Sequence, residues 1–194
     1  MRNMFSYASL LFVLVTVTAK PDPNEYAEDP KHFRDQILSK MINLNKTIHV
    51  LMRDYHLNTT YDCLSATQDK KISENIYTYN LTARIIRNRT LVSYPVNITA
   101  MTTGKHRYPN DAVYEEYPGE GPIDHKLMTM DYSRTCFVFA VNRSEGYRCM
   151  FVITDGVSDP RYPPRKCERV YRRYCGPRSI VLWKEDCKTA VSKH

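Results

Sequence analysis

Alternation between apolar and polar side chains dominates the middle of the chain and predicts a run of β-strands. Stretches rich in β-branched and aromatic residues recur eight times, separated by clusters of turn-forming residues. The predicted strands are Thr47–Tyr55, Tyr61–Thr67, Asn75–Ile86, Leu91–Thr102, Ala112–Tyr117, Lys126–Tyr132, Thr135–Val141 and Tyr147–Thr154. Eight antiparallel strands close most simply into an up-and-down barrel, with a β-sandwich as the competing architecture. A barrel of this size can hold one small ligand.

Helical periodicity flanks the strands on both sides. Asp29-Pro30 is typical of a helix start, and apolar residues continue at helical spacing to about Asn43. A second helix is predicted from Pro164 to Cys175, where a Gly-Pro pair ends it. We therefore expect an all-β protein: an eight-stranded antiparallel up-and-down barrel with an N-terminal and a C-terminal helix, forming one domain over residues 20–194.

The N-terminus has the pattern of a secretory signal peptide. Arg2 precedes an apolar run from Ala8 to Val17, and small residues at Val17-Thr18-Ala19 provide a cleavage point. The run is far shorter than the ~20 apolar residues that a membrane span needs. We therefore expect residues 1–19 to be removed and the remainder to be secreted, with no membrane span.

Secretion changes what the cysteines and asparagines mean. Six cysteines in an oxidising compartment predict three disulfides. Six Asn-X-Ser/Thr sequons predict a glycosylated surface, and every asparagine that carries a glycan must face solvent. The sequons begin at Asn45, Asn58, Asn80, Asn88, Asn97 and Asn142.

Positive charge is concentrated in one segment. The chain has a formal charge of +7, and loss of Arg2 with the signal peptide would leave +6. Residues 161–178 contain seven cations and one acid, so the rest of the mature chain is neutral. A secreted chain without a nucleic-acid motif favours a solvated basic helix face over nucleic-acid binding, with heparan or anionic membranes as the alternative partners.

The sequence motifs of common enzymes are absent. The chain has no Gly-x-Ser-x-Gly, no His-Glu-x-x-His and no phosphate-binding glycine loop. Its six histidines lack metal-ligand spacing, and His49 and His56 are expected at the surface or at a pocket rim. We therefore expect a monomeric, non-catalytic protein without metal or cofactor.

Short motifs around the cysteines carry a family resemblance. They are Tyr61-Asp62-Cys63, Thr135-Cys136, Glu145-Gly146-Tyr147, Cys167 and Cys187. With the order of the predicted elements, they resemble the tick salivary lipocalins of the histamine-binding-protein group over nearly the whole mature chain. The resemblance implies a salivary protein that dampens host inflammation or haemostasis by binding a small-molecule host mediator. It also implies disulfides Cys63–Cys187 and Cys136–Cys167, which leaves Cys149–Cys175, whereas sequence alone allows fifteen pairings.

Strand parity then predicts which side chains face the barrel interior. Side chains alternate between faces, so the neighbours of an outward-facing glycosylated asparagine or bridged cysteine point inward. Tyr55 is added because it matches an aromatic residue near the family's amine site. The predicted ligand-binding residues are Tyr55, Asp62, Tyr77, Tyr79, Leu81, Tyr94, Phe137, Phe139, Arg148 and Met150.

The predicted interior departs from that of the family's amine binders. Those proteins resemble one another in carrying acids on the seventh and eighth strands, where this chain has Phe137 and Arg148. A buried protonated amine needs carboxylate partners. The sequence thus favours a lipid or hydrophobic mediator, such as a leukotriene, fatty acid or sterol, over histamine or serotonin. An inhibitor that binds complement or another host immune protein and keeps a vestigial pocket is the third hypothesis.

Overall fold

The computed structural model describes residues 20–44 and 46–191. Its helices are α1 (Pro23–Glu28), a 3₁₀ helix (Pro30–Asp35), α2 (Ser39–Ile42), α3 (Arg165–Tyr174) and α4 (Cys187–Val191). Its strands are β1 (Ile48–Arg53), β2 (Tyr61–Lys71), β3 (Ile76–Ile85), β4 (Leu91–Met101), β5 (Asp111–Tyr114), β6 (Ile123–Met130), β7 (Cys136–Arg143), β8 (Gly146–Thr154) and β9 (Ile180–Val181). The predicted signal peptide and the Asn45 sequon lie outside the described residues. No helix in the described ranges is long and apolar enough to cross a membrane.

Strands β1 to β8 form the predicted antiparallel barrel. Each strand from β2 to β8 pairs with its sequence neighbours, and β1 closes the barrel between β8 and β2. The β1–β2 contact is limited to Ile48 with Ala66 and His49 with Ser65. Beyond it β1 pairs with β9, a short strand that the sequence analysis did not predict. The C-terminal segment therefore covers the seam where β1 and β2 separate.

The N-terminal helical region differs from the single helix expected between Asp29 and Asn43. Asp29 does cap a helix that begins with Pro30, but this helix is 3₁₀ and ends at Asp35. Gln36 interrupts it, because its buried side-chain amide donates hydrogen bonds to the carbonyls of Tyr26 (3.1 Å) and Met128 (3.0 Å). The helix Pro23–Glu28, which Asp22 caps, was not anticipated. The second predicted helix is confirmed as α3.

Apolar side chains form two cores on opposite faces of the sheet. One fills part of the barrel interior and includes Tyr77, Phe137 and Val152. The other lies outside, where α3 packs on the barrel through Val170 and Tyr171. Strands β7 and β8 lie between the two cores. Most of their side chains are therefore buried, whichever face of the sheet they are on.

All six cysteines fall within the described ranges and pair as the family resemblance implied. The disulfides are Cys63–Cys187, Cys136–Cys167 and Cys149–Cys175. Each joins a barrel strand to the segment that follows β8, so the three bonds fix α3 and the C-terminus to the outside of the barrel. Every sequon asparagine in the described part of the chain (Asn58, Asn80, Asn88, Asn97 and Asn142) is exposed, as a glycan at these positions would require. Glycosylation itself stays a prediction.

Candidate ligand-binding site

A cavity of about 340 Å³ occupies the barrel interior. Its volume is at the lower end of the range for small-molecule sites. At one end the barrel is covered by Leu38, which precedes α2, and by Met41 and Ile42 of α2; the amide of Leu38 donates a hydrogen bond to the carbonyl of Pro109 (2.9 Å). The walls are mostly aliphatic and aromatic. They include Ile48, Val50, Leu64, Tyr79, Leu81, Val92, Tyr94, Ile98, Tyr114, Phe139, Met150 and Val152.

Charged side chains meet at the other end, which we call the mouth. Glu116 follows β5, and its buried carboxylate accepts hydrogen bonds from Tyr55 and Arg143. Its Oε1 lies 3.0 Å from Nε2 of His125, and its Oε2 lies 3.9 Å from Nη1 of Arg53. These five residues form what we call the mouth cluster. Both oxygens of Glu116 are therefore engaged by groups of the protein itself.

Electrostatics keeps Glu116 ionised despite its burial. Burial alone would raise the pKa of this carboxyl, but the hydrogen bond and charge of His125 and the charge of Arg143 lower it to about 2. Nδ1 of His125 faces the carbonyls of Ile123 (2.9 Å) and Ala112 (3.1 Å). Both ring nitrogens of His125 thus lie within hydrogen-bond distance of oxygen atoms.

Residues 115–122 form a strap across the mouth. The Arg53 guanidinium donates to the Tyr117 hydroxyl (2.6 Å), and that of Arg143 donates to Glu120 (2.5 Å). Gly119 and Gly121 have positive φ (88° and 82°) and donate their amides to the Glu115 carboxylate. Glycine adopts this backbone conformation without the steric cost of a Cβ. The strap is thus held in place by hydrogen bonds from the two arginines of the mouth cluster.

Five of the predicted site residues line the cavity: Tyr79, Leu81, Tyr94, Phe139 and Met150. Three others are buried in the interior without lining it. Tyr55 lies behind Glu116, with its ring 4.2 Å from the Arg143 guanidinium. Tyr77 donates its hydroxyl to the Glu74 carbonyl (3.0 Å), and Phe137 fills the barrel below the cavity.

Asp62 does not face the interior as expected. Between Asp62 and Ser65 the register shifts, so that Cys63 and Leu64 together oppose the single residue Ala83. Cys63 has a φ of 50° at this bulge, which turns Asp62 and Cys63 to the outer face in succession. There Asp62 forms a two-point ion pair with Arg84, with both distances 2.8 Å.

Arg148 lies beyond the cavity rather than in it. Its side chain stands near the start of β8, forms an ion pair with Glu145 (2.9 Å) and borders an outer cleft near the mouth. Strand parity correctly placed Arg148 on the inner face of β8, but the barrel interior ends before this position. The arginines that do reach the interior are Arg53 and Arg143.

Of the five residues in the mouth cluster, only Tyr55 was predicted from the sequence. Strand parity could have predicted two others. Glu116 follows the inward-facing Ala112 and Tyr114 at two-residue spacing, and Arg143 follows the inward-facing Val141. Arg53 could not be predicted in this way, since a register shift between Val50 and Met52 reverses the parity of β1. His125 carried no signal of its own.

The sequence profile of the tick histamine binding protein family matches residues 26–189. The chain belongs to this family. Tick histamine-binding proteins are binding proteins without catalytic activity, which confirms the prediction that this chain is not an enzyme. No curated protein sequence matches this member of the family.

Solved structures share the fold of this tick histamine-binding-type lipocalin at low identity. Japanin from Rhipicephalus appendiculatus, bound to cholesterol, is 14% identical, with a TM-score of 0.56 over 74% of this chain and 95% of japanin. AM182 in a serotonin complex is 11% identical, with a TM-score of 0.53 over 84% of this chain and 91% of AM182. Lobster apocrustacyanin A1 is 11% identical, with a TM-score of 0.52 over 88% and 93% of the respective chains. At these identities the likeness establishes the lipocalin fold.

Proposed function

We propose that this lipocalin is secreted in tick saliva and sequesters a hydrophobic host mediator, a lipid with an oxygen-bearing head group, in its barrel. The observation that carries the proposal is the state of Glu116. It is the one carboxylate among the described residues that line the cavity, and its oxygens already accept from Tyr55, Arg143 and His125. A protonated amine would have to displace a guanidinium or leave its own charge unpaired, and either change is costly in a buried site.

The mouth offers a donor instead of an acceptor. Arg53 has a side chain that is 1% exposed, and its Nε is buried without a hydrogen-bond partner among the described residues. A carboxylate or hydroxyl of the ligand would satisfy this donor. The apolar walls, including Leu81, Phe139 and Val152, suit an acyl chain or a ring system.

Calorimetric titration of the secreted protein with arachidonic acid, a leukotriene, cholesterol, histamine and serotonin tests the proposal. We expect lipid binding and weak or no amine binding. Ala66→Trp, which fills the cavity, should abolish lipid binding, whereas Thr67→Trp, on the outer face of the same strand, should preserve it. Submicromolar histamine or serotonin binding would contradict the proposal, as would lipid binding that Ala66→Trp leaves unchanged.

A further inference from the structure

Helix α3 presents a row of arginines to solvent. The helix packs on the barrel through Cys167, Val170 and Tyr171, and the exposed side chains on its opposite side include Arg165, Arg169 and Arg173. We call these three the arginine row. They follow one another at four-residue intervals, so the row extends over about 12 Å of the helix.

The arginine row is not neutralised by the protein. None of its three guanidinium groups forms an ion pair with any residue in the described ranges. Three neighbouring cations are paired: Lys166 with Asp35 (2.7 Å), Arg172 with Glu168 (2.7 Å) and Arg161 with Asp159 (2.8 Å). The net positive charge of this face therefore comes mainly from the row.

The row does not stabilise the helix that carries it. Like charges four residues apart repel each other. The helix dipole disfavours Arg165 at the first residue of α3 and favours Arg173 in the last turn, so these two effects offset each other. The placement of three arginines here suggests a partner that supplies the missing negative charge.

We propose that the arginine row binds a sulfated glycosaminoglycan. A chain of regularly spaced sulfates and carboxylates matches a linear row of cations, and the guanidinium fork binds such oxyanions through two parallel hydrogen bonds. Insertion into a membrane would need apolar side chains beside the cations, but the solvent-facing side of α3 carries charged ones. The row lies outside the barrel, so this site is independent of the ligand in the cavity.

The test compares two triple variants of the secreted full-length chain on heparin and heparan sulfate surfaces over a range of salt concentrations. Arg165→Ala with Arg169→Ala and Arg173→Ala removes the row, and alanine preserves the helix. The matched control is Lys70→Ala with Arg87→Ala and Arg107→Ala, which removes three exposed cations elsewhere. We expect the row variant to bind at least about tenfold more weakly with a shallower salt dependence, and the control to change by less than about twofold.

Three outcomes would overturn the proposal. One is a wild-type protein that does not bind heparin at physiological salt. Another is an equal loss in both variants, which would indicate non-specific charge attraction. The third is tighter row-dependent binding to phosphatidylserine vesicles or to duplex DNA than to heparin, which would assign the face to a membrane or a nucleic acid. Unchanged melting temperature and disulfides in both variants exclude misfolding as the cause of any loss.

Discussion

Substitution of Glu116 by glutamine tests the central feature of the candidate site. The variant keeps the size of the side chain and removes the negative charge that Arg53 and Arg143 face at the mouth. Because both guanidinium groups are buried, solvent cannot replace that charge. We expect Glu116→Gln to fold but to be markedly less stable than the wild type.

The size of the loss follows from the pKa of Glu116. The folded protein lowers this pKa from 4.5 to about 2. At about 1.4 kcal/mol per pH unit, this difference corresponds to about 3 kcal/mol of unfolding free energy at neutral pH. Removal of one member of a buried ion pair costs a similar amount, about 3–5 kcal/mol.

The pH dependence separates this electrostatic effect from a packing defect. A carboxyl whose pKa is lowered in the folded state contributes its full stability above pH 4.5 and loses it as the pH falls toward 2. The difference between wild type and Glu116→Gln should therefore stay constant from neutral pH down to pH 4.5 and shrink below it. Urea unfolding at several pH values, followed by intrinsic fluorescence, measures this difference directly.

Glu145→Gln provides the matched control. Glu145 also pairs with an arginine, Arg148, but its side chain is 77% exposed. Its substitution should cost less than about 1 kcal/mol at any pH. The reasoning is refuted if Glu116→Gln loses no more than this control, or if its deficit stays constant as the pH falls toward 3.

Three further predictions concern other parts of the barrel. Burial and the charge of Asp124 raise the pKa of Asp111 to about 6, so its ionised form destabilises the fold above that pH; Asp111→Asn should gain about 1–3 kcal/mol at neutral pH by urea unfolding and nothing below pH 3.8. Cys63→Ser with Cys187→Ser opens a loop of 124 residues and should cost about 5 kcal/mol in the chain-entropy model, measured by the same assay. Asp62→Asn breaks the outer ion pair with Arg84 and should cost about 3 kcal/mol while leaving lipid affinity unchanged; a loss of affinity by calorimetry would place this carboxylate back in the site.

Alternating hydrophobicity predicted the barrel strands, and residues known to face outward predicted most of their inward faces. The exposed asparagines at positions 80 and 97 fixed the parity of β3 and β4, which correctly assigned Tyr79, Leu81 and Tyr94 to the cavity. A strand buried on one side repeats every two residues, so one reliable outward residue determines its neighbours. The inward-facing residues of these strands can thus be predicted without knowing the ligand.

Three of the failures have a related physical cause, since each lies where the regular repeat of a strand or helix breaks. Bulges in β1 and β2 reverse the parity, so Arg53 turns inward and Asp62 turns outward. The N-terminal helix breaks at Gln36, whose amide satisfies carbonyls from distant segments. Such positions depend on contacts remote in sequence, and no local pattern announces them.

On the proposed function, the mouth cluster is what lets a barrel of this family contain an acid without favouring an amine. Glu116 comes from the strap after β5, whereas Arg53 and Arg143 come from the ends of β1 and β7. The acid is therefore neutralised by two arginines from the strands on either side of β8, and both of its oxygens are already engaged within the protein. A cationic ligand would have to break these contacts before it could form its own. An apolar ligand with an oxygen acceptor leaves them intact and adds a partner for the buried Nε of Arg53. The proposed selectivity thus rests on which charges are already satisfied rather than on which residue types are present.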